Sequence, residues 1–233
     1  FYGFGVLCAD HDEVLSLKAR VPDRRIVTYG FSPQADVRAV NVQTDVDGSR
    51  FDVVFSAWLH GEEEEHLKDV YLSMPGEHNV QNALSAIAIA YEMGIAFPLM
   101  KNALSGFAGV KRRFTKTGEV NDILVIDDYG HHPVEIEAVL KTARISAEKR
   151  GGNLIAVMQP HRFSRLHDLF DDFCTCFTQA DSVLITDVYR AGEEPIAGAD
   201  KEALADGIRK HGHRDVNCLD DIKKLPQFIA EIG

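Results

Sequence analysis

Three short apolar runs recur in the second half of the 233-residue chain, at residues 123–126, 154–158 and 183–186. Each is followed by a stretch with helical periodicity. Residues 133–148 carry Ile136, Val139, Leu140 and Ala143. Residues 166–178 carry Leu166, Leu169, Phe170, Phe173 and Phe177, and residues 200–210 carry Leu204 and Ile208. Apolar runs too short for a helix, alternating with amphipathic helices, predict strand–helix–strand units and a parallel, doubly wound α/β sheet. That pattern also limits where chemistry can sit, because open α/β sheets bind ligands beyond the carboxyl ends of their strands. The segments that follow the three runs are DDYGHHP at 127–133, PHRFSR at 160–165 and DVYRAGEEP at 187–195. All three are predicted to converge on one rim.

The first half reads differently. Residues 1–8 and 26–29 predict strands, with Asp10 placed to cap a helix over about residues 11–20. Residues 37–46 and 51–55 flank Asp47-Gly48-Ser49 and predict a β-hairpin. Val80, Ala83, Leu84, Ile87 and Tyr91 form one stripe of a helix over 79–93, and a shorter helix covers 99–105. The change of pattern places a domain boundary between residues 112 and 113, giving domains 1–112 and 113–233.

Composition narrows the partners. No apolar run reaches the roughly 20 residues that span a bilayer. A net charge of −11 argues against sequence-independent nucleic-acid binding, which needs a basic face, but leaves room for a local phosphate site. The acidic run Glu62–Glu65 reads as a solvated face. Cys8, Cys174, Cys176 and Cys218 contain no C-x-x-C pair and read as reduced, mostly buried thiols of a cytoplasmic protein. The N-terminus lacks the basic region and cleavage site of a secretory signal. It opens without Met on an apolar run, as expected of a chain cut inside a domain.

The rim segments allow several chemistries. Arg162 and Arg165 are three apart, so a helix starting here would put them on one face, where guanidinium groups suit a small carboxylate or a phosphate. Alternatively both pair with Glu193 and Glu194. In DDYGHHP, Pro133 and His132 suit a capped helix start, whereas Tyr129 and Gly130 are less well explained by a turn. A metal site on Asp128, His131 and His132 is a further option, opposed by the divergence of consecutive side chains. Asn79 and Asn82 either cap a helix or read a base edge. Lys111-Arg112-Arg113 is either a solvated hinge or a phosphate contact.

GEHNVQNALSAIA, GVKRRF, DDYGHHPVEI, PHRFSR and YRAGEEP occur in this order along essentially the whole chain, and together they resemble the Mur ligase family. Within it they are most similar to the members that join L-alanine to UDP-N-acetylmuramate in peptidoglycan synthesis. The resemblance implies the remainder of a central ATP-binding domain followed by a Rossmann-like, amino-acid-binding C-terminal domain. It implies ATP-driven amide formation: the muramate carboxylate becomes an acyl phosphate, which the amine of alanine then attacks. By position it implies Asn79 and Asn82 as adenine contacts, Arg113 at the ATP phosphates and Asp128 at the nucleotide. It implies Tyr129, His131 and His161 in the alanine pocket, Arg162 and Arg165 on the alanine carboxylate, and Arg113 and His131 as the catalytic pair. ATP and Mg2+ are the implied cofactors. No G-x-x-x-x-G-K-[ST] loop occurs in the chain, so that loop, the Mg2+ ligands and the UDP-sugar domain are expected upstream of Phe1, and a final strand and helix beyond FIAEIG. The chain by itself is expected to be inactive. The alternatives are a family member that attaches a ready-made tripeptide, a non-catalytic nucleotide-binding module, and a metallohydrolase.

Overall fold

The computed structural model describes residues 3–61 and 63–232, so Phe1, Tyr2, Glu62 and Gly233 lie outside the described residues. The chain divides into two units, Phe1–Gly109 and Val110–Gly233.

The first unit is a five-stranded sheet in the order β1 (Phe4–Cys8), β2 (Arg25–Gly30), β3 (Val37–Asp45), β4 (Gly48–Phe55) and β5 (Glu65–Leu72). The first three strands run parallel and the last three antiparallel. Helix α1 (Asp12–Arg20) joins β1 to β2, and α2 (Glu77–Glu92) and α3 (Phe97–Ser105) follow the sheet. The expected stripe of α2 is its buried face: Val80, Ala83, Leu84 and Ile87 join Val27, Val53, Phe55 and Val70 in one core. Each of the larger side chains among them contributes about 1.5–3 kcal/mol on burial. Phe55 stacks on Tyr91 at 4.2 Å and on Phe97 at 5.3 Å, which ties both helices to β4.

Two expectations change here. Asp10 does not cap α1, whose N-cap is His11. Its carboxylate instead accepts from the amides of Phe31 and Ser32 and from Gln81 Nε2, joining the ends of β1 and β2 to α2. Strand β5 was hidden because Leu67, Val70 and Leu72 do not alternate. A bulge with Asp69 at φ 55° lies between the first two and breaks the period of two. Glu63 and Glu64 of the acidic run are exposed, and Glu65 accepts a hydrogen bond from Tyr91 Oη at 2.6 Å.

The second unit opens with an antiparallel hairpin, β6 (Thr115–Val120) and β7 (Ile123–Asp127), then α4 (Pro133–Arg150). A parallel sheet follows in the order β10 (Val216–Leu219), β9 (Ser182–Thr186), β8 (Ile155–Met158). Its crossovers are α5 (Phe163–Asp168) with α6 (Phe170–Thr175), and α7 (Lys201–Lys210); a 3-10 turn at Ile222–Lys224 and α8 (Leu225–Ile232) end the unit. The α/β class is as expected, with one correction. Residues 123–126 pair antiparallel with β6 rather than lying in the parallel sheet. The turn between them, Asn121-Asp122 with φ of 49° and 62°, has the mirror-image geometry that closes two-residue hairpins. The expected helix over 166–178 is broken at Leu169, where ψ rises to 26°.

The core of this unit joins Met158, Val183 and Ile185 to Leu166, Phe173, Phe177, Leu204 and Ile208. Cys174 and Cys176 are both buried here, and burial pushes the Cys176 thiol up to about 12. Arg144 anchors α4 through Nε to the Gln179 carbonyl at 2.9 Å and through Nη2 to Asp181 at 2.9 Å. Among the described residues, no helix is long and apolar enough to cross a membrane.

Gly207 lies where α7 packs directly against α6. A β-carbon there would fall on Cys174 Sγ and lie 3.2 Å from the Phe170 ring. Alanine would gain about 1 kcal/mol of helix propensity, but overpacking a rigid contact costs about 1–3 kcal/mol. Gly207→Ala is expected to lower stability in denaturant unfolding by about 1 kcal/mol, and Cys174→Ala in the same chain to recover part of it. An unchanged or raised midpoint for the single variant would contradict this packing.

Candidate active site

The elbow after β7 is built by two carboxylates that bind backbone. Asp128 accepts from the amide of Phe114 at 2.8 Å and from that of Gly130 at 2.6 Å. Together with the bond from Tyr129 N to the Arg112 carbonyl (2.8 Å), this closes the segment before β6 onto the elbow. Arg112 and Phe114 both hold positive φ there, at 61° and 49°. A side chain at Gly130 would start 3.0 Å from Asp128 Oδ1, which accounts for the glycine. Glu135 Oε2 accepts from the amides of His131 (3.1 Å) and His132 (3.3 Å), while His132 Nδ1 accepts from Val134 N. This is a capping box with Pro133 at the first helical position. Burial alone would raise the Glu135 carboxyl. The two amides and the charges of His131 and Arg113, whose Nη1 is 3.7 Å away, outweigh it and leave the group below its ordinary value.

Above this base the side chains point outward. The Arg112 guanidinium lies 4.8 Å over the Tyr129 ring and 3.4 Å from Asp127, a cation–π pairing. His131 Nδ1 is 2.9 Å from the Tyr129 carbonyl. A carbonyl can only accept, so Nδ1 carries hydrogen, and of the two neutral tautomers this selects the one with its lone pair on Nε2.

The second and third segments are stitched together by backbone. His161 and Tyr189 form a parallel bridge, with Arg162 N donating to the Tyr189 carbonyl (2.9 Å) and Tyr189 N to the Pro160 carbonyl (2.8 Å). The rings of Tyr129, His131, His161 and Tyr189 stand in a row with centroid separations of 5.2, 6.3 and 5.2 Å. The three polar segments therefore do meet, and these rings border a cavity of about 1030 Å3 beside β8 and α4. His161 Nδ1 is buried and has no hydrogen-bond partner among the described residues. Burial, then the charges of Arg165 and Arg162, lower its affinity for a proton.

Arg162 is the N-cap of α5 with φ 73°, a left-handed torsion unusual for a non-glycine residue. Its Nη1 is 3.6 Å from Glu193. Arg165 Nη1 donates to the His161 carbonyl at 3.2 Å, and it makes no ion pair with Glu194 among the described residues. The pairing of both arginines with both glutamates is thus only half realised. Glu193 itself accepts from Ser164 N (3.0 Å) and Ser164 Oγ (2.7 Å), bonds that hold its carboxyl below the ordinary range.

Lys201, at the start of α7, is nearly buried and binds Asp187 at 2.8 Å and Asp220 at 2.7 Å. These carboxylates follow β9 and β10, so one ammonium ties two strand ends, and their hydrogen bonds raise its pKa. Sequence reasoning missed Lys201, Ser164 and Tyr189 and gave Glu193 no role beyond an ion pair. The one available signal was their place after predicted strands.

Asn79 and Asn82 belong to the first unit and the other candidates to the second. Gly76, not Asn79, is the N-cap of α2. Asn79 is buried and donates Nδ2 to the Pro75 carbonyl at 2.7 Å, whereas Asn82 is exposed one turn on. Among the described residues no group of three His, Cys, Asp or Glu side chains gathers as a metal site.

Both units have counterparts among known proteins. Residues 1–90 match the Mur ligase middle domain, and residues 112–233 match the domain described as Mur ligase, glutamate ligase domain. The UDP-N-acetylmuramate–L-alanine ligase of Maricaulis maris is 60% identical over 218 residues, covering 94% of this chain and 46% of that protein. The enzyme of the same name from Rhodospirillum centenum is 56% identical over all 233 residues, or 47% of its own length. The crystal structure of UDP-N-acetylmuramate-alanine ligase from Thermotoga maritima superposes with a TM-score of 0.66 at 25% identity, covering 86% of this chain and 41% of that one. The chain spans about half the length of the curated relatives it matches. On the match of both domains across its length, the chain belongs to the Mur ligase family.

Proposed function

We propose that the chain serves an ATP-dependent ligase that joins L-alanine to UDP-N-acetylmuramate in cytoplasmic peptidoglycan synthesis, and that it supplies the alanine pocket and part of the nucleotide site. The observation that carries this reading is the meeting of Arg162, His161 and His131 on one rim with an unpartnered His161 Nδ1 among them. An amino acid brings a carboxylate for guanidinium groups and an amine whose proton must be removed before it can attack. Arg162 and Arg165 take the carboxylate, and Tyr129 borders the pocket. His131 Nε2, oriented by the bond from Nδ1 to the Tyr129 carbonyl, takes a proton from the ammonium group; the freed amine attacks the carbonyl carbon of the acyl phosphate and inorganic phosphate leaves.

ATP supplies the phosphoryl group that activates the sugar carboxylate. On this chain Asn82 and the acceptor oxygen of Asn79 suit an adenine edge, since Asn79 has already donated to Pro75 and its amide is fixed. Arg113, 3.7 Å from Glu135, is the phosphate contact in this reading. Asp128 spends one lone pair of each oxygen on an amide, so a nucleotide contact there uses what remains. The described residues offer no cluster of donors for Mg2+, and no step is assigned to a metal on them. By itself the chain is not expected to catalyse ligation.

Two outcomes test the pocket. In the complete ligase, Arg162→Ala is expected to raise the KM for alanine by roughly ten- to a hundredfold with the KM for ATP unchanged, as for a lost charged hydrogen bond of about 1.5–3 kcal/mol. A weakened ATP interaction with normal alanine saturation would instead place Arg162 at the nucleotide. His161 is expected to titrate below 6.5 in an NMR pH series of this chain, and Arg165→Ala to move its midpoint upward. Because the folded value lies below the unfolded one, the unfolded chain binds the proton first as pH falls. The contribution of His161 to stability is therefore intact above about pH 6.5 and declines below it. A midpoint at or above 6.5 would show that the ring is not desolvated.

A further inference from the structure

Resting on the alanine-pocket reading above, we propose that Glu193 is a positioning residue for amino-acid recognition, holding Arg162 for the substrate carboxylate from the third rim segment. Arg162 has a torsion that its own helix does not support. It is the N-cap of α5 at φ 73°, and its side chain makes no cap bond. Residues held in such conformations persist only where their surroundings over-determine them. Two neighbours do so here. The Arg162 amide is fixed by the Tyr189 carbonyl at 2.9 Å. Two residues on, Ser164 gives both its amide (3.0 Å) and its hydroxyl (2.7 Å) to Glu193. The carboxylate thus supplies, from 29 residues away in sequence, the cap that the α5 N-terminus does not supply itself.

The division of distances sets what Glu193 can do. Its short bonds go to Ser164, and its approach to Arg162 Nη1 is longer, at 3.6 Å. It is anchored by backbone and hydroxyl and does not depend on the arginine. Half of the Arg162 side chain remains exposed, at 51%, so the guanidinium has room for a second carboxylate while its direction is set by the first. Arg165 is oriented separately by the His161 carbonyl. Loss of Glu193 would therefore disorder one arm of the pair and leave the other.

The test uses steady-state kinetics of the complete ligase with Glu193→Ala, Glu193→Gln and Ser164→Ala. Glu193→Ala is expected to raise the KM for alanine by about tenfold, with kcat at saturating alanine and the KM for ATP within about twofold of wild type. Glu193→Gln keeps an oxygen that accepts from Ser164 and is expected to recover most of that loss; Ser164→Ala, which retains the amide, gives an intermediate value. An unchanged alanine KM in Glu193→Ala would overturn the inference. So would a parallel rise in the KM for ATP with a lowered melting temperature, which is the signature of general loosening. Arg162→Ala separates the two levels: if that variant leaves alanine saturation unchanged, the pocket reading fails; if it raises the KM while Glu193→Ala does not, only the role of Glu193 fails.

Discussion

The rim depends on carboxylates that bind backbone amides. Asp128 holds Phe114 and Gly130, Glu135 holds His131 and His132, and Glu193 holds Ser164. Charge-assisted bonds of this kind are shorter and stronger than those between neutral groups. This use of the acids also leaves the cationic side chains only loosely paired. Arg112, Arg113 and Arg162 approach their nearest carboxylates no closer than 3.4, 3.7 and 3.6 Å. A chain with net charge −11 thereby keeps guanidinium groups available beside its own acids. Had those acids closed onto the arginines instead, the loops would lose their caps and an incoming anion would meet neutral pairs.

Much of this was legible where pattern and physics coincide. The stripe on α2 buries because its period matches the helix, and the Asp47-Gly48 turn, the Pro133 start and the runs at 154–158 and 183–186 obey local rules. Convergence of PHRFSR and DVYRAGEEP followed from the parallel strands β8 and β9, whereas DDYGHHP reaches the same rim from an antiparallel hairpin that the pattern did not anticipate. The failures have equally local causes. β6 has a single aliphatic residue, Val120, in Thr115–Val120, so periodicity had little to register, and its signal lay in the Asn121-Asp122 turn. β5 was concealed by its bulge. β10 is four residues long, Val216–Leu219, with Asn217 interrupting it.

The site residues divide along the same line. Arg162, Arg165, His131 and His161 carry unusual side-chain chemistry and stood out as letters. The residues that hold them do not. Asp10 looked like a helix cap and is a clasp between strand ends and α2, because its oxygens meet amides 21 and 22 residues away. Lys201 carries no pattern that singles it out in the sequence, yet it is nearly buried between Asp187 and Asp220. Long-range pairing of this sort leaves no periodic trace. It becomes visible only when the strands that carry the partners are placed side by side.

The torsion of Arg162 has a consequence for how this fold responds to selection. A left-handed backbone costs a non-glycine residue on the order of 1 kcal/mol or more, and glycine would occupy it freely. Stability and chemistry therefore pull in opposite directions at this position. A search for hardier variants that scores folding alone would drift toward glycine there, and would obtain a sounder scaffold with one arm of the proposed anion receptor removed.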